Sequence, residues 1–148
     1  MRDVLGRFFT GITVVTASDG ARPFGFTCQS VTSVSLDPPY VSFCPVRTST
    51  TWGMMRDIGA LCVNTLADDQ HHVCEQFAVC AADKFAGVPW RPASNGAPLI
   101  EDAVATIEAT VEFEHEAGDH TIVVAQVTGL HALDDRLPLL FTAVATED

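Results

Sequence analysis

The chain has 148 residues, 47% of them hydrophobic, and sets 8 Lys and Arg against 19 Asp and Glu for a formal net charge of −11. That apolar share supports a real core and excludes a disordered chain, and the length fits a single domain over residues 1–148. Nucleic-acid backbones and anionic membrane surfaces are held by clustered cations, so the charge balance argues against both as partners and makes each Arg or Lys beside a phosphorylated ligand informative.

Val4, Leu5, Phe8 and Phe9 recur at helical spacing ahead of Gly11, which predicts a short amphipathic helix at the start. This opening, MRDVLGRFF, has no long apolar core and no small-residue cleavage site, and no run approaches membrane-spanning length. Cys28, Cys44, Cys62, Cys74 and Cys80 form an odd set without a CxxC pair. Reduced thiols and a cytoplasmic protein are the expectation.

ITVVTA (12–17) is short and β-branched, DGARP (19–23) is turn chemistry, and FGFTCQSVTSVSL (24–36) returns as the second arm of a predicted hairpin. Pro38 and Pro39 then remove two backbone donors before YVSFCPV (40–46) restarts as a strand. Within TCQSVTSVSLDPP (27–39), a period of two puts Ser30, Thr32 and Val34 on one side and Val31, Ser33, Ser35 and Asp37 on the other. Neither side sorts as a core. The run reads either as an edge strand with solvated hydroxyls or as a wall offering hydrogen bonds to a ligand.

In TSTTWGMMRD (48–57), hydroxyls precede an apolar cluster, the arrangement of a helix N-terminus. ALCVNTL (60–66) is the next strand, and a helix is predicted from Asp68 to Phe77. His71, His72 and Cys74 in that helix lack a second ligand pair, so no metal site is read there. Residues 84–98, with Gly87, Pro89, Pro92, Gly96 and Pro98, read as an ordered loop. ATIEATVEFEHE (105–116) alternates apolar with polar residues, AGDH turns, TIVVAQVTGLHAL (121–133) returns as its antiparallel partner, and PLLFTAV (138–144) is a final short strand. Seven or so strands with two or three short flanking helices and no βαβ alternation predict a mainly β, small antiparallel barrel.

No GxGxxG, Walker, GxSxG or HExxH pattern is present, which leaves doubly wound dinucleotide binding, acyl transfer and metal hydrolysis without support. Four hydroxyl- or glycine-rich junctions remain: Thr27 to Ser35, Arg47 to Thr51, Asp83 to Phe85, and Gly118 to His120. RTSTT reads as a helix cap, and capping and anion binding draw on the same N–H groups. His120 in GDH reads as a turn residue, and Trp52 and Trp90 as core or interface.

Taken together, RFFTGITVVTA, FGFTCQSVTSVSLDPPYVSF, RTSTTW, FAVCAADKFAG, GAPLI and EAGDHTIVVAQV resemble the flavin reductase family with the split-barrel FMN-binding fold, from about Val4 to Leu140. The likeness is strongest to the short NAD(P)H:flavin oxidoreductases of two-component monooxygenases. The resemblance implies an FMN or FAD site, NADH or NADPH as co-substrate, an oxygenase component as partner, and a homodimer. It implies that Thr27, Cys28, Gln29 and Ser30 run beside the isoalloxazine ring, with Ser33, Val34 and Ser35 continuing the wall. By the same matching Arg47, Ser49 and Thr51 would hold the flavin phosphate, Lys84 and Phe85 would lie near the phosphate and ribityl chain, and His120 would position the nicotinamide. Two other functions fit the same fold: an FMN enzyme with a different redox or biosynthetic role, and a non-catalytic flavin-binding module. The ending PLLFTAVATED is acidic where relatives carry an aromatic and basic tail.

Overall fold

The computed structural model describes residues 1–80, 83–133 and 135–141. Its elements in chain order are α1 (Arg2–Leu5), β1 (Thr10–Gly11), β2 (Thr13–Ser18), β3 (Pro23–Cys28), β4 (Thr32–Leu36), β5 (Pro39–Phe43), α2 (Thr50–Met55), β6 (Ala60–Thr65), α3 (His71–Ala78), β7 (Trp90–Pro92), β8 (Pro98–Ile100), β9 (Ala105–Ala117), β10 (His120–Ala132) and β11 (Leu140–Phe141). Seven strands make one antiparallel sheet in the order β3-β2-β6-β9-β10-β5-β4, and β1 with β11 and β7 with β8 form two small ribbons beside it.

The expected single return strand over 24–36 is two strands, β3 and β4, at opposite edges of this sheet. Across a flat sheet of seven strands those edges would stand about 29 Å apart. Yet only Gln29, Ser30 and Val31 separate Cys28 from Thr32, a span of at most about 14 Å. The sheet must therefore curl until its edges approach each other at this crossing, while the hydrogen-bonded ladder stays open between β3 and β4. Register shifts in the β9–β10 hairpin between Val124 and Ala125 and between Val127 and Gly129 add local twist in the same structure.

β2 shows why the strands read as apolar runs: Val15 and Ala17 enter one core and Val14 the other, so the strand is buried on both faces. The first core lies inside the curl, where Phe43, Trp52, Met55 and Val63 pack and Trp52 meets Phe43 edge-on at 5.3 Å. The second lies under α3, where Phe77 and Phe85 meet edge-on at 4.8 Å. Gly25 is required at that contact, because a Cβ there would sit 2.8 Å from Phe77 Cε1. Gly118, at φ +65°, makes the tight turn between β9 and β10.

Other expectations need correction. The opening helix stops at Leu5 and buries nothing, leaving Phe8 and Phe9 64% and 73% exposed, because no element among the described residues covers them. α3 starts at His71 rather than Asp68; Gln70 ties the preceding turn instead, accepting from the Ala67 N–H and donating to the Glu101 carbonyl. The loop over 84–98 contains β7, whose residues pair with β8 from Trp90 against Ile100 to Pro92 against Pro98. The last strand comprises Leu140 and Phe141 on β1, and the acidic tail from 142 lies outside the described residues. Among the described residues, no helix is long and apolar enough to cross a membrane.

Candidate functional site

A cleft of about 820 Å³ opens where the two sheet edges converge. Its walls come from the end of β3 and the crossing (Phe26 to Ser30), from Cys44 to Val46 after β5, from the start of α2 (Thr48 to Thr51), from the end of α3, and from Lys84 and His120.

The crossing is pinned by its own hydroxyls. Thr27 Oγ1 donates to the Cys74 carbonyl at 2.7 Å, and Ser30 Oγ accepts from the Cys44 N–H at 2.8 Å. Cys28 Sγ lies 3.2 Å from that same Ser30 oxygen. Burial, and then the neighbouring Cys28, push the Cys44 thiol up, so the Cys44 sulfur is a neutral, polarisable surface rather than a nucleophile. Gln29 is exposed at the rim.

Ser49 caps α2, its Oγ accepting from the Trp52 N–H at 3.1 Å. The N–H groups of Thr50 and Thr51 belong to a first helical turn and have no carbonyl within the helix to bond. Lys84 reaches across to this turn. Its Nζ donates to the Gly25 carbonyl at 3.2 Å, the Phe77 carbonyl at 3.3 Å and Thr51 Oγ1 at 3.4 Å. Burial pulls its ammonium below the usual lysine range. A half-buried cation at the wall of a strongly acidic protein is a ready partner for an anion.

His120 opens β10 at the far side, where its backbone bridges to Val46. Its Nδ1 lies 2.7 Å from Asp119 Oδ1, and the hydrogen bond to His120 holds the Asp119 carboxyl below the usual range. That bond fixes the ring and leaves Nε2 as its other polar atom.

Three placements differ from the sequence expectation. Arg47 is not among the lining residues: its guanidinium turns to the β9–β10 turn, donating to the Gly118 carbonyl at 3.2 Å and approaching Glu116 at 3.4 Å. Ser33, Val34 and Ser35 lie on edge strand β4, paired with β5 through a register shift, and none of them lines the cleft. Phe85 is buried between Phe77 and Trp90 and lines a neighbouring cleft rather than this one. Thr27, Cys28, Gln29, Ser30, Ser49, Thr51, Lys84 and His120 do converge.

The sequence reading passed over Thr10, Phe26, Cys44, Pro45, Val46 and the Ala78 to Cys80 segment, all of which line the cleft. Only the hydroxyls in RTSTT carried a signal for their neighbours Thr48 and Thr50. Thr10 Oγ1 is the buried side-chain polar atom left without a hydrogen-bond partner among the described residues, and it belongs to this wall. Apolar side chains on one flank, with hydroxyls, helix-start N–H groups and one ammonium on the other, suit a flat ring joined to a phosphate.

Residues 5–145 match the family described as flavin reductase like domain. The chain belongs to this family. It is 45% identical over 143 residues to the flavin-dependent monooxygenase reductase subunit HsaB of Mycobacterium tuberculosis, covering 95% of this chain and 76% of that one. It is 44% identical over 141 residues to a flavin reductase of Pseudomonas putida, covering 95% and 83%. Among solved structures, the Streptomyces globisporus NADH:FAD oxidoreductase SgcE6, in complex with NAD and FAD fragments, superposes with a TM-score of 0.90 at 37% identity, covering 95% of this chain and 86% of that one. The membership identifies an oxidoreductase of flavin and NADH, and the donor set of the cleft fits a flavin nucleotide.

Proposed function

We propose that this flavin reductase family member transfers reducing equivalents from NAD(P)H to a flavin nucleotide and supplies the reduced flavin to a separate monooxygenase component. The observation that carries the reading is the convergence of the Thr27–Ser30 crossing, the Ser49–Thr51 helix start with Lys84, and His120 on one cleft. Flavin, when bound, supplies the redox chemistry, taking a hydride from the reduced nicotinamide.

Every other contribution belongs to the chain. Phe26, Cys28 and Val46 give the apolar flank against which a flat ring is held and from which water is excluded. Backbone groups of the crossing, kept rigid by the Thr27 and Ser30 hydrogen bonds, face the ring's polar edge and offset negative charge that grows there. Ser49, Thr51 and Lys84 hold the phosphate. Asp119 holds His120 so that its free edge orients the nicotinamide, a positioning role without proton transfer.

The curl that brings β3 and β4 together supports the split-barrel form of this fold. Exposed Phe8, Phe9 and Leu36 support a homodimer, since each is a large apolar side chain left uncovered among the described residues. Five free thiols, two of them buried, support a reducing, cytoplasmic setting. Anaerobic stopped-flow mixing with NADH tests the activity: flavin absorbance bleaches within seconds on this reading, and an unbleached spectrum after minutes overturns it.

A further inference from the structure

A separate cavity of about 250 Å³ lies between the β7–β8 ribbon and the Thr106–His131 end of the β9–β10 hairpin. None of its lining residues lines the flavin cleft. His131 stands eleven residues along β10 from His120, about 36 Å of extended chain. The volume falls just below that of drug-sized sites, so a ligand of about a dozen heavy atoms fits and a nucleotide does not.

The frame of this cavity is fixed by hydrogen bonds. The Ile100 N–H donates to Asn64 Oδ1 at 2.9 Å, the Glu101 N–H to the Pro89 carbonyl at 3.0 Å, and the Leu133 N–H to the Val104 carbonyl at 2.7 Å. Walls held in this way have little freedom to lose when a ligand enters. Thr106 and His131 are cross-strand partners, so their side chains share a face with Cβ atoms about 5 Å apart. Thr106 is 4% exposed, and its hydroxyl has no hydrogen-bond partner among the described residues. Unlike Thr10 Oγ1 it is not sealed off, so what it meets is the cavity.

Arg91, opposite Leu99 in the ribbon, has no ion pair among the described residues, although Glu101 and Asp102 line the same cavity. The two carboxylates therefore stand off from the guanidinium with the cavity available between them. Asp102 also pairs with Arg136 at 3.4 Å, and Glu101 has no cation partner among the described residues. A dicarboxylate would be repelled by Glu101, and a diamine by Arg91. One charge of each sign on a short apolar body answers every group present.

We propose that this cavity binds a small zwitterion, a free α-amino acid. Its carboxylate sits on Arg91, Thr106 and His131, its ammonium on Glu101 and Asp102, and its side chain against Leu99 and Leu133. The site is independent of the flavin reductase reading and stands or falls without it.

Isothermal titration of the full chain with alanine, leucine and phenylalanine, with and without saturating FMN, tests the site. At least one of the three is expected to bind with a Kd of about 1 mM or tighter, equally with FMN present. Its amide, which lacks the carboxylate, and its N-acetyl derivative, which lacks the ammonium, should each bind about tenfold or more weakly. Arg91→Gln and Glu101→Gln, both at exposed positions, should each weaken it about tenfold while FMN affinity stays within about twofold. No binding by any of the three at about 10 mM overturns the proposal. So does an amide or N-acetyl derivative that binds as tightly as its parent, since that site reads one charge only. Affinity untouched by both variants, or competition with FMN, overturns it as well, because the ligand then lies elsewhere.

Discussion

Replacing Arg47 with alanine separates an arginine that grips a phosphate from one that braces the β9–β10 turn. The backbone N–H of Arg47 bonds the Asp119 carbonyl at 2.9 Å, and that bond survives the substitution. Only the guanidinium contacts are lost. The pair with Glu116 joins side chains that are 50% and 79% exposed, and such a pair contributes about 0–1 kcal/mol. The bond to the Gly118 carbonyl adds about 1 kcal/mol net. Loosening the turn that holds His120 by about 1–2 kcal/mol raises the KM for NADH about 5- to 30-fold. A direct charge-assisted bond to the flavin phosphate is instead worth about 1.5–3 kcal/mol, an FMN loss of about 10- to 150-fold that spares riboflavin.

Fluorescence titration with FMN and riboflavin, beside NADH kinetics at saturating FMN, distinguishes the two roles. The expected result is a raised KM for NADH with flavin affinities within twofold of wild type. Arg47→Lys should be no better than alanine, since an ammonium keeps the charge but not the planar fork that spans Gly118 and Glu116. A tenfold or greater loss of FMN affinity alone, recovered in the lysine variant, would refute the bracing role.

Three further outcomes are expected. His120→Ala raises the KM for NADH without lowering flavin affinity, read in the same two assays; a change confined to flavin binding places this histidine wrongly. Lys84, with its folded pKa below the ordinary 10.5, gives a pH window between those values in which the unfolded chain holds more protons, so stability of the ligand-free protein rises with pH there. FMN affinity falls through the same window as the ammonium is lost, and Lys84→Gln flattens both profiles in urea melts and FMN titrations. Glu114→Ala deprives the buried Trp52 Nε1–H of its acceptor at 3.0 Å and breaks the two-pronged bond from Arg56. The loss is about 1–2 kcal/mol, a Tm lower by about 3–8 °C, with Glu114→Gln recovering part of it.

Periodicity carried the fold furthest where one principle governed a stretch. The β9–β10 hairpin was legible because its strands alternate cleanly around a glycine turn, and it pairs from His120 against Ala117 to Ala132 against Ala105. The start of α2 was legible from the hydroxyls before Trp52, and Ser49 does cap it. What misled was local signal whose partner lay far off in sequence. Phe8 and Phe9 have helical spacing but no core to meet among the described residues, and the helix ends at Leu5. Trp90 to Pro92 reads as loop chemistry until its partner strand is known. Arg47 stands beside a helix start in the sequence, yet its guanidinium bonds Gly118 and Glu116 on the hairpin, contacts 71 and 69 residues away that no local pattern announces.

The run from Thr27 to Pro39 failed to sort into faces because it is not one strand but a change of sheet edge. Cys28 ends one edge and Thr32 begins the other, so a period counted through Gln29, Ser30 and Val31 describes no continuous surface. The choice between solvated hydroxyls and a ligand wall resolves differently for each hydroxyl. Thr27 and Ser30 are spent on protein partners, and these bonds are what hold the crossing against α3 and the segment after β5. Ser33 and Ser35 belong to an outer edge. The hydroxyls of Thr27 and Ser30 therefore build the cleft more than they face its contents.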